Sequence, residues 1–159
     1  MKHDTVNELF LTYYNDALLY TLSLTKNVAL AEEIVSDAFY TALKTADTEV
    51  YHFKAWLLRV CRNLYLNGLR KSKRLTELTA ELADRSETVL ERIIRKEEYK
   101  ALYHALSVLN ATYKEVITLF YFEELSVKDI ALVTGKSEAA VKVLLFRGRE
   151  ALKKILSSV

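Results

Sequence analysis

The chain has 159 residues, of which 51% are hydrophobic, and a formal net charge of +2. This length allows one ordinary domain or two small ones. The sequence has no proline and only three glycines. These are too few turn-forming residues to connect many strands, so the composition favours an all-helical fold. No apolar run approaches the roughly 20 residues that span a bilayer, and the charged beginning lacks the apolar stretch of a signal peptide. The single cysteine cannot form an internal disulfide, so we expect a cytoplasmic protein without membrane insertion.

The charge changes sign along the chain. Residues 1–50 carry three basic and eight acidic residues, whereas residues 52–74 carry seven basic residues and no acid. Residues 75–124 carry six bases and ten acids, and residues 125–159 carry seven bases and three acids. Basic surfaces bind nucleic-acid phosphates by releasing counterions, and acidic surfaces repel them. The two basic blocks therefore predict two nucleic-acid contacts, although each block alone could be a solvated helix face.

Helical spacing of apolar residues organises the first half of the chain. The predicted helices are Thr5–Thr25, Ala29–Thr45 and Phe53 to about Lys71. A short break at Lys26 and Asn27 separates the first two, and a loop is expected over Thr45–His52. Each helix has an apolar side, so the three can close a small core. We expect Trp56 and Cys61 to lie in that core.

The second half begins after a polar linker at Ser72–Glu87. The predicted helices are Glu91–Leu109, Ala111–Phe122, a short helix from Ser126 through Val133, and a last helix from Ser137 to about Leu156. Asn110 and Ser137 can cap helix N-termini, and Ser126 with Asp129 forms a capping box. Gly135 supplies a left-handed turn after the short helix. Two helices joined by such a turn predict a DNA-binding helix-turn-helix.

The last helix has two distinct sides. Its inner stripe is predicted to be Val141, Leu145, Gly148 and Leu152. The outer side, which would enter the major groove, carries Glu138, Ala139, Lys142, Val143, Phe146 and Arg147. Lys142 and Arg147 can donate to guanine or to phosphate, and Phe146 could pack on a thymine methyl or a sugar. A plain helical hairpin with a solvated cationic side is the alternative.

The upstream basic segment, Phe53–Arg74, mixes cations with aromatic residues. Cations give affinity for a phosphate backbone, while aromatic rings offer platforms for unstacked bases. Asn63 can form hydrogen bonds with a base edge. The alternative is that Phe53, Trp56 and Tyr65 belong to the core and that the cations decorate the surface.

Catalysis and metal binding have little support in the sequence. The three histidines are scattered, without the spacing of metal ligands. There is no glycine-rich phosphate loop and no pattern of an activated serine or cysteine. We therefore expect no enzymatic activity, no cofactor and no metal site.

Three segments together resemble the extracytoplasmic-function (ECF) sigma factors of bacterial RNA polymerase. AEEIVSDAFYTALK, at residues 31–44, resembles the second helix of the family's first domain. FKAWLLRVCRNLYLNGLR, at residues 53–70, resembles the helix that melts and reads the minus-ten promoter element. Leu109–Leu152 resembles the domain that reads the minus-thirty-five element. The resemblance covers nearly the whole chain, with the segments in the family's order.

The resemblance implies a role for each part of the chain. The expected organisation is a polymerase- and minus-ten-binding domain at residues 1–71, a flexible linker at residues 72–90 and a helix-turn-helix domain at residues 91–159. Polymerase clamp helices would bind Glu33, Ser36, Asp37 and Tyr40, and the opened minus-ten strand would bind Arg59, Arg62, Asn63, Asn67 and Arg70. The minus-thirty-five element would bind the six outer residues of the last helix. The loop Thr45–His52 would hold a flipped-out base, Val116–Phe122 would sit on the polymerase flap, and an anti-sigma factor would cover these surfaces.

The chain departs from the family pattern in its recognition helix. Val143 and Leu144 occupy positions that often hold Ser and Arg. The family also commonly has Gln near Ser36, Asp near Asn67 and Pro near Asn110. Two alternatives remain: a stand-alone helix-turn-helix regulator that binds duplex DNA as a dimer, and a sigma-like adaptor that acts only through protein contacts.

Overall fold

The computed structural model describes residues 2–44, 53–72 and 97–158. These ranges are almost entirely helical and contain no strand. The chain divides into two compact units, Met1–Thr88 and Val89–Val159. The predicted all-helical fold with two small domains is confirmed. The loop predicted at Thr45–His52 and nearly all of the predicted linker lie outside the described residues.

The described residues of the first unit form three helices. They are α1 (Lys2–Thr25), α2 (Val28–Lys44) and α3 (Phe53–Ser72). The predicted break between α1 and α2 is confirmed, although α1 begins earlier than the predicted Thr5. Lys26 has a left-handed φ of 55° and donates its N–H to the Leu22 carbonyl at 2.8 Å, which closes α1. The Asn27 side chain accepts the Leu30 N–H at 3.0 Å and caps the start of α2.

Connected aromatic rings join the three helices. Phe53, the first residue of α3, is fully buried. Its ring centroid lies 5.8 Å from that of Tyr13 on α1 and 6.1 Å from that of Phe39 on α2. Phe39 in turn meets Phe10 of α1 edge-on, with centroids 4.8 Å apart. Tilted and edge-on pairs are favoured ring geometries, so Phe53 stabilises the meeting point of all three helices.

Burial on α3 decides between the two interpretations of its aromatic residues. Phe53 belongs to the core, so its interpretation as a base platform was wrong. Cys61 is buried, as predicted. Trp56 is only half-buried, contrary to the core prediction, and its ring packs 5.8 Å from Phe53 at the edge of the core. A side chain as large as tryptophan is rarely covered completely in a small domain.

Residues 97–158 of the second unit contain four α-helices. They are α4 (Glu97–Val108), α5 (Ala111–Ile117), α6 (Val127–Thr134) and α7 (Glu138–Ser157). Asn110 caps α5 as predicted, since its Oδ1 accepts the Thr112 N–H at 2.8 Å. The part of the predicted fourth helix before Glu97 lies outside the described residues.

The predicted helix over Ala111–Phe122 is confirmed, but its last five residues are π-helical. A π-helical turn, Thr118–Phe122, follows α5, and the Glu123 N–H donates to the Thr118 carbonyl five residues back at 3.1 Å. The wider turn shifts the register, so that Leu119 points into the core while Phe122 is exposed.

The long helix α7 packs against α4, α5 and α6. Val141, Leu145 and Gly148 form its buried side, as predicted, with Leu152 partly buried at the far end. A methyl group added at Gly148 would lie 2.9 Å from Cδ1 of Ile117 on α5. The absence of a side chain at Gly148 therefore lets α5 and α7 approach closely.

We expect Phe53→Ala to lower the free energy of unfolding of the first unit by about 3–5 kcal/mol, because a buried ring is replaced by a cavity. Urea denaturation of the full chain, followed by the fluorescence of its single tryptophan, Trp56, would measure the change. Leu11→Ala is the matched control on α1, because Leu11 is 81% exposed, and it should change stability by less than about 0.5 kcal/mol. Similar losses for both variants would contradict the central position of Phe53.

Candidate nucleic-acid interface

The helix-turn-helix of the second unit is built by α6 and α7. The hydroxyl oxygens of Ser126 and Ser137 each accept the backbone N–H three residues further on at 3.1 Å, which confirms both predicted caps. Gly135 has φ 72° and ψ 16°, the predicted left-handed conformation. Its N–H donates to the Ala131 carbonyl at 2.9 Å and ends α6. Local chemistry therefore fixes both ends of the turn.

All six residues predicted to read the minus-thirty-five element are exposed on α7. Five of them lie on the side away from the buried Val141 and Leu145, so packing of α7 directs them outward. Glu138 was predicted on that side too, but helical spacing places it close to the direction of Leu145, and it is exposed because it is the first residue of the helix. Val143 is 45% exposed and Phe146 is 64% exposed, although both are large apolar residues. The structure therefore brings five of the six residues together on one accessible side, with Glu138 exposed at the start of the helix: Ala139, Lys142, Val143, Phe146 and Arg147.

Arg149 is a positioning residue that the sequence did not reveal. Its Nε donates to the Tyr121 hydroxyl at 2.7 Å. Its guanidinium carbon lies 5.3 Å from the ring centroid of Phe120 and 5.7 Å from that of Tyr121. A hydrogen bond and cation–π attraction thus fasten α7 to the π-helical turn. Arg149 is one of the bases counted in the last block, yet it contacts protein.

The predicted minus-ten residues lie on α3. Arg59, Asn63, Asn67 and Arg70 are exposed and recur at intervals of three or four residues, which places them on one side of the helix. Arg62 is half-buried. The opposite side of α3 carries the buried residues Leu57, Leu58 and Cys61. The structure therefore presents most of this predicted set as a continuous basic and amide surface.

The basic surface of α3 is narrower than the sequence predicts. Lys54 Nζ lies 3.7 Å from Asp16 Oδ2 on α1, so an acid from another helix partners a cation of the acid-free segment. Lys73 and Arg74 lie outside the described residues.

The predicted polymerase-binding residues form an exposed strip on α2. Glu33, Ser36, Asp37 and Tyr40 follow each other at helical intervals, and all are exposed. Tyr40 is 59% exposed, and Lys44 Nζ lies 4.6 Å from its ring centroid. The strip therefore combines two carboxylates with an accessible aromatic ring.

A groove of about 480 Å³ separates α2 from α3 and connects the acidic strip with the α3 surface. Glu33 and Asp37 line it from α2, while Asn67 and Lys71 line it from α3. Burial raises the pKa of the Tyr65 hydroxyl, which also lines the groove, above its ordinary value. Asn67 thus lies at the border between the acidic and basic surfaces.

The described ranges lack the features of a membrane span or a metal site. Within residues 2–44, 53–72 and 97–158, no helix has the length and apolar character that crossing a membrane requires. The same ranges hold no cluster of three His, Cys, Asp or Glu side chains suited to a metal ion. The exposed features of this part of the chain are helix faces with charged, amide and apolar side chains.

Known families match both units. The family described as Sigma-70 region 2 matches residues 9–75, and the family described as Sigma-70, region 4 matches residues 99–152. The ECF RNA polymerase sigma factor SigM of Bacillus subtilis is 31% identical over 152 residues, which cover 94% of this chain and 93% of SigM. The chain belongs to the ECF sigma factor family. The resemblance inferred from its motifs is confirmed, and this sigma factor directs transcription initiation.

Other proteins match this sigma factor in sequence or in structure over most of its length. The RNA polymerase sigma factor YlaC of Bacillus subtilis is 30% identical, with 97% of this chain and 94% of YlaC covered. The sigma factor RpoE of Bartonella quintana, solved with the anti-sigma factor NepR, has a TM-score of 0.74 at 22% identity, covering 95% of this chain and 96% of RpoE. CnrH, solved with the cytosolic domain of CnrY, has a TM-score of 0.66 at 22% identity, covering 98% of this chain and 90% of CnrH. These structural likenesses support the fold.

Two Gly→Ala substitutions should have opposite effects on this sigma factor. We expect Gly135→Ala to destabilise the second unit by about 1–2 kcal/mol, because alanine is strained at positive φ. Gly68→Ala, in the exposed helical part of α3 with no atom within 4 Å of the added methyl, should stabilise the first unit by about 0.5–1 kcal/mol. Urea denaturation would measure both changes in stability. Trp56 fluorescence would report the unfolding of the first unit, and circular dichroism would report the unfolding of the second. If both variants stabilise their units, or both destabilise them, the role of the Gly135 turn is contradicted.

Proposed function

We propose that this sigma factor holds promoter DNA with two separate helices, α7 at the minus-thirty-five element and α3 at the minus-ten element. The proposal is supported by one feature that α3 and α7 share. Each helix is anchored by a buried side and exposes an opposite side that combines cations with amide or apolar groups. The corresponding division is a domain at residues 1–71, a linker at residues 72–90 and a domain at residues 91–159.

On α7, the two outward cations would set the position of the helix in the major groove. Lys142 and Arg147 can donate to guanine acceptors or to the phosphates at the groove edge. Glu138, in the first turn, could accept from a cytosine amine. The helix-turn-helix places such a second helix in the groove with its N-terminal residues nearest to the bases.

On α3, the exposed amides and cations suit a strand whose bases are unstacked. Arg59 and Arg70 would bind its phosphates, and Arg62 would contribute from the margin of the same surface. Asn63 has a donor and an acceptor on one amide, so it can pair with the edge of an opened base. Asn67 would contact the strand where the surface meets the groove.

The acidic strip on α2 would bind core RNA polymerase at its clamp helices. Carboxylates repel DNA phosphates, so Glu33 and Asp37 favour a protein partner on this side of the unit. Ser36 and Tyr40 would supply a hydrogen-bonding group and an apolar ring to the same contact. For the polymerase flap, burial of Val116, Ile117 and Leu119 leaves the exposed Tyr121 and Phe122 as the contact surface.

An anti-sigma factor would regulate the protein by covering these surfaces. RpoE of Bartonella quintana, which shares the fold, was solved in complex with one. The promoter-binding role also assigns the protein to the cytoplasm, as an initiation factor without catalytic activity or cofactor of its own. Promoter DNA and core polymerase are its remaining partners.

We expect Lys142→Ala and Arg147→Ala each to weaken promoter use by about 1–3 kcal/mol per lost base contact. In-vitro transcription from a genomic fragment library, with core polymerase and the full chain, would first identify a promoter. Competition between that promoter and versions altered in the upstream element would then measure the loss for each variant.

Lys154→Ala is the matched control, because it removes one exposed cation twelve residues beyond Lys142 on the same helix. It should leave the preference among promoter sequences intact. Unchanged transcription with both Lys142→Ala and Arg147→Ala would contradict the assignment of α7 to the minus-thirty-five element. Polymerase binding without any promoter-specific transcription would instead support the adaptor alternative.

We expect Asn63→Ala to slow promoter opening while leaving polymerase binding intact, because Asn63 is exposed and would contact only the opened strand. Permanganate reactivity of unpaired thymines would follow opening, and fluorescence anisotropy would follow binding to core polymerase. Asp37→Lys, on the acidic strip, is the converse control and should weaken polymerase binding. Parallel loss of opening and binding in Asn63→Ala would point to a structural role for Asn63.

A further inference from the structure

The outward side of α7 is apolar along its centre. Ala139, Val143 and Phe146 follow each other at intervals of four and three residues, so they form one row along the helix. Ala139 is exposed, and Val143 and Phe146 are 45% and 64% exposed. Lys142 and Arg147 are exposed on the two flanks of this row. In cross-section, the helix therefore presents an apolar ridge between two cations.

We propose that Ala139, Val143 and Phe146 recognise the 5-methyl groups of neighbouring thymines, an inference that rests on the assignment of α7 to the minus-thirty-five element. The thymine methyl is the one apolar group among the recognition groups that base pairs present in the major groove. From Ala139 to Phe146 the helix rises by about 10 Å, which corresponds to about three base-pair steps. The row therefore spans about three base pairs, and the contacted thymines can lie on either strand.

The flanking charges favour DNA over a protein as the occupant of this ridge. The major groove is bounded on both sides by phosphates, and its floor carries the base edges. Lys142 and Arg147 match the two walls, while the apolar row matches a floor rich in methyl groups. The surrounding segment, residues 125–159, carries seven bases and three acids, which also suits a polyanion.

Replacement of thymine by uracil isolates the proposed contact, because uracil lacks the methyl group and keeps the same hydrogen-bonding edge. Loss of one methyl from an apolar contact corresponds to about a fourfold loss in occupancy. A contact with the sugar or the phosphates would show no such dependence on the base methyl. The methyl effect and the cation effect can therefore be separated.

The test uses holoenzyme assembled from core polymerase and the full chain. Transcription from duplex promoters with a randomised upstream block should enrich elements with neighbouring T·A pairs. In the selected promoter, synthetic uracil at each such thymine should lower transcription about fourfold per contacted methyl. With Phe146→Ala, thymine and uracil templates should be used equally at the position that Phe146 contacts. Phe146→Leu, which keeps an apolar side chain, should retain part of the preference.

Several results would overturn the inference. Selection of thymine-poor elements, or equal use of thymine and uracil templates by the unaltered protein, would remove the methyl contact. Loss of core-polymerase binding in Val143→Ala or Phe146→Ala, with uracil still without effect, would make the ridge a protein-docking surface. Lys142→Ala should lower the use of both templates by the same factor. If Lys142→Ala and Arg147→Ala have no effect either, the assignment of α7 to DNA fails as a whole, an outcome distinct from failure of the methyl contact alone.

Discussion

The close contact between α5 and α7 at Gly148 determines what the second unit presents to its surroundings. A methyl group there would lie 2.9 Å from the terminal methyl of Ile117, so the two helices pack closely, and the burial of Val141 and Leu145 beside this contact favours one rotation of α7 about its axis. Successive residues of an α-helix point about 100° apart, and a shift of one residue would turn Val141 and Leu145 out of the core. Phe53 has the corresponding role in the first unit, where its ring fixes α3 against α1 and α2. In both units, the buried side of a helix thus decides which functional groups are exposed.

The features that the sequence predicted well are those whose causes act over three or four residues. Ser126 and Ser137 cap helices through hydroxyls that reach only to the next turn. Gly135 ends α6 through its own backbone conformation. The outward residues of α7 were predictable because the helix is long and its apolar period is clear, so Val141 and Leu145 determine the rest. The family motifs added the order of the two units and their general roles.

The features that the sequence did not reveal depend on contacts between distant segments. Arg149 meets Tyr121 across 28 residues, and no periodic pattern marks such a pair. The acidic partner of Lys54 is Asp16 on α1. A segment without acids in the sequence can therefore still form an ion pair with another helix in the fold. Asn67 shares a groove with Glu33 and Asp37 only because α2 and α3 dock side by side. The π-helical turn was missed because the run of four apolar or aromatic residues after Thr118 fits α-helical and π-helical spacing equally well.

The division of α7 into a packed side and an unpacked side has a consequence for evolvability. Ala139, Val143 and Phe146 add little to the stability of the fold, since large fractions of their surfaces face solvent. In the promoter-reading role proposed for α7, substitutions at these positions would alter the preferred promoter while the yield of folded protein stays the same. Under that proposal, a lineage of such proteins would drift from one set of target genes to another by single steps, without passing through misfolded ancestors.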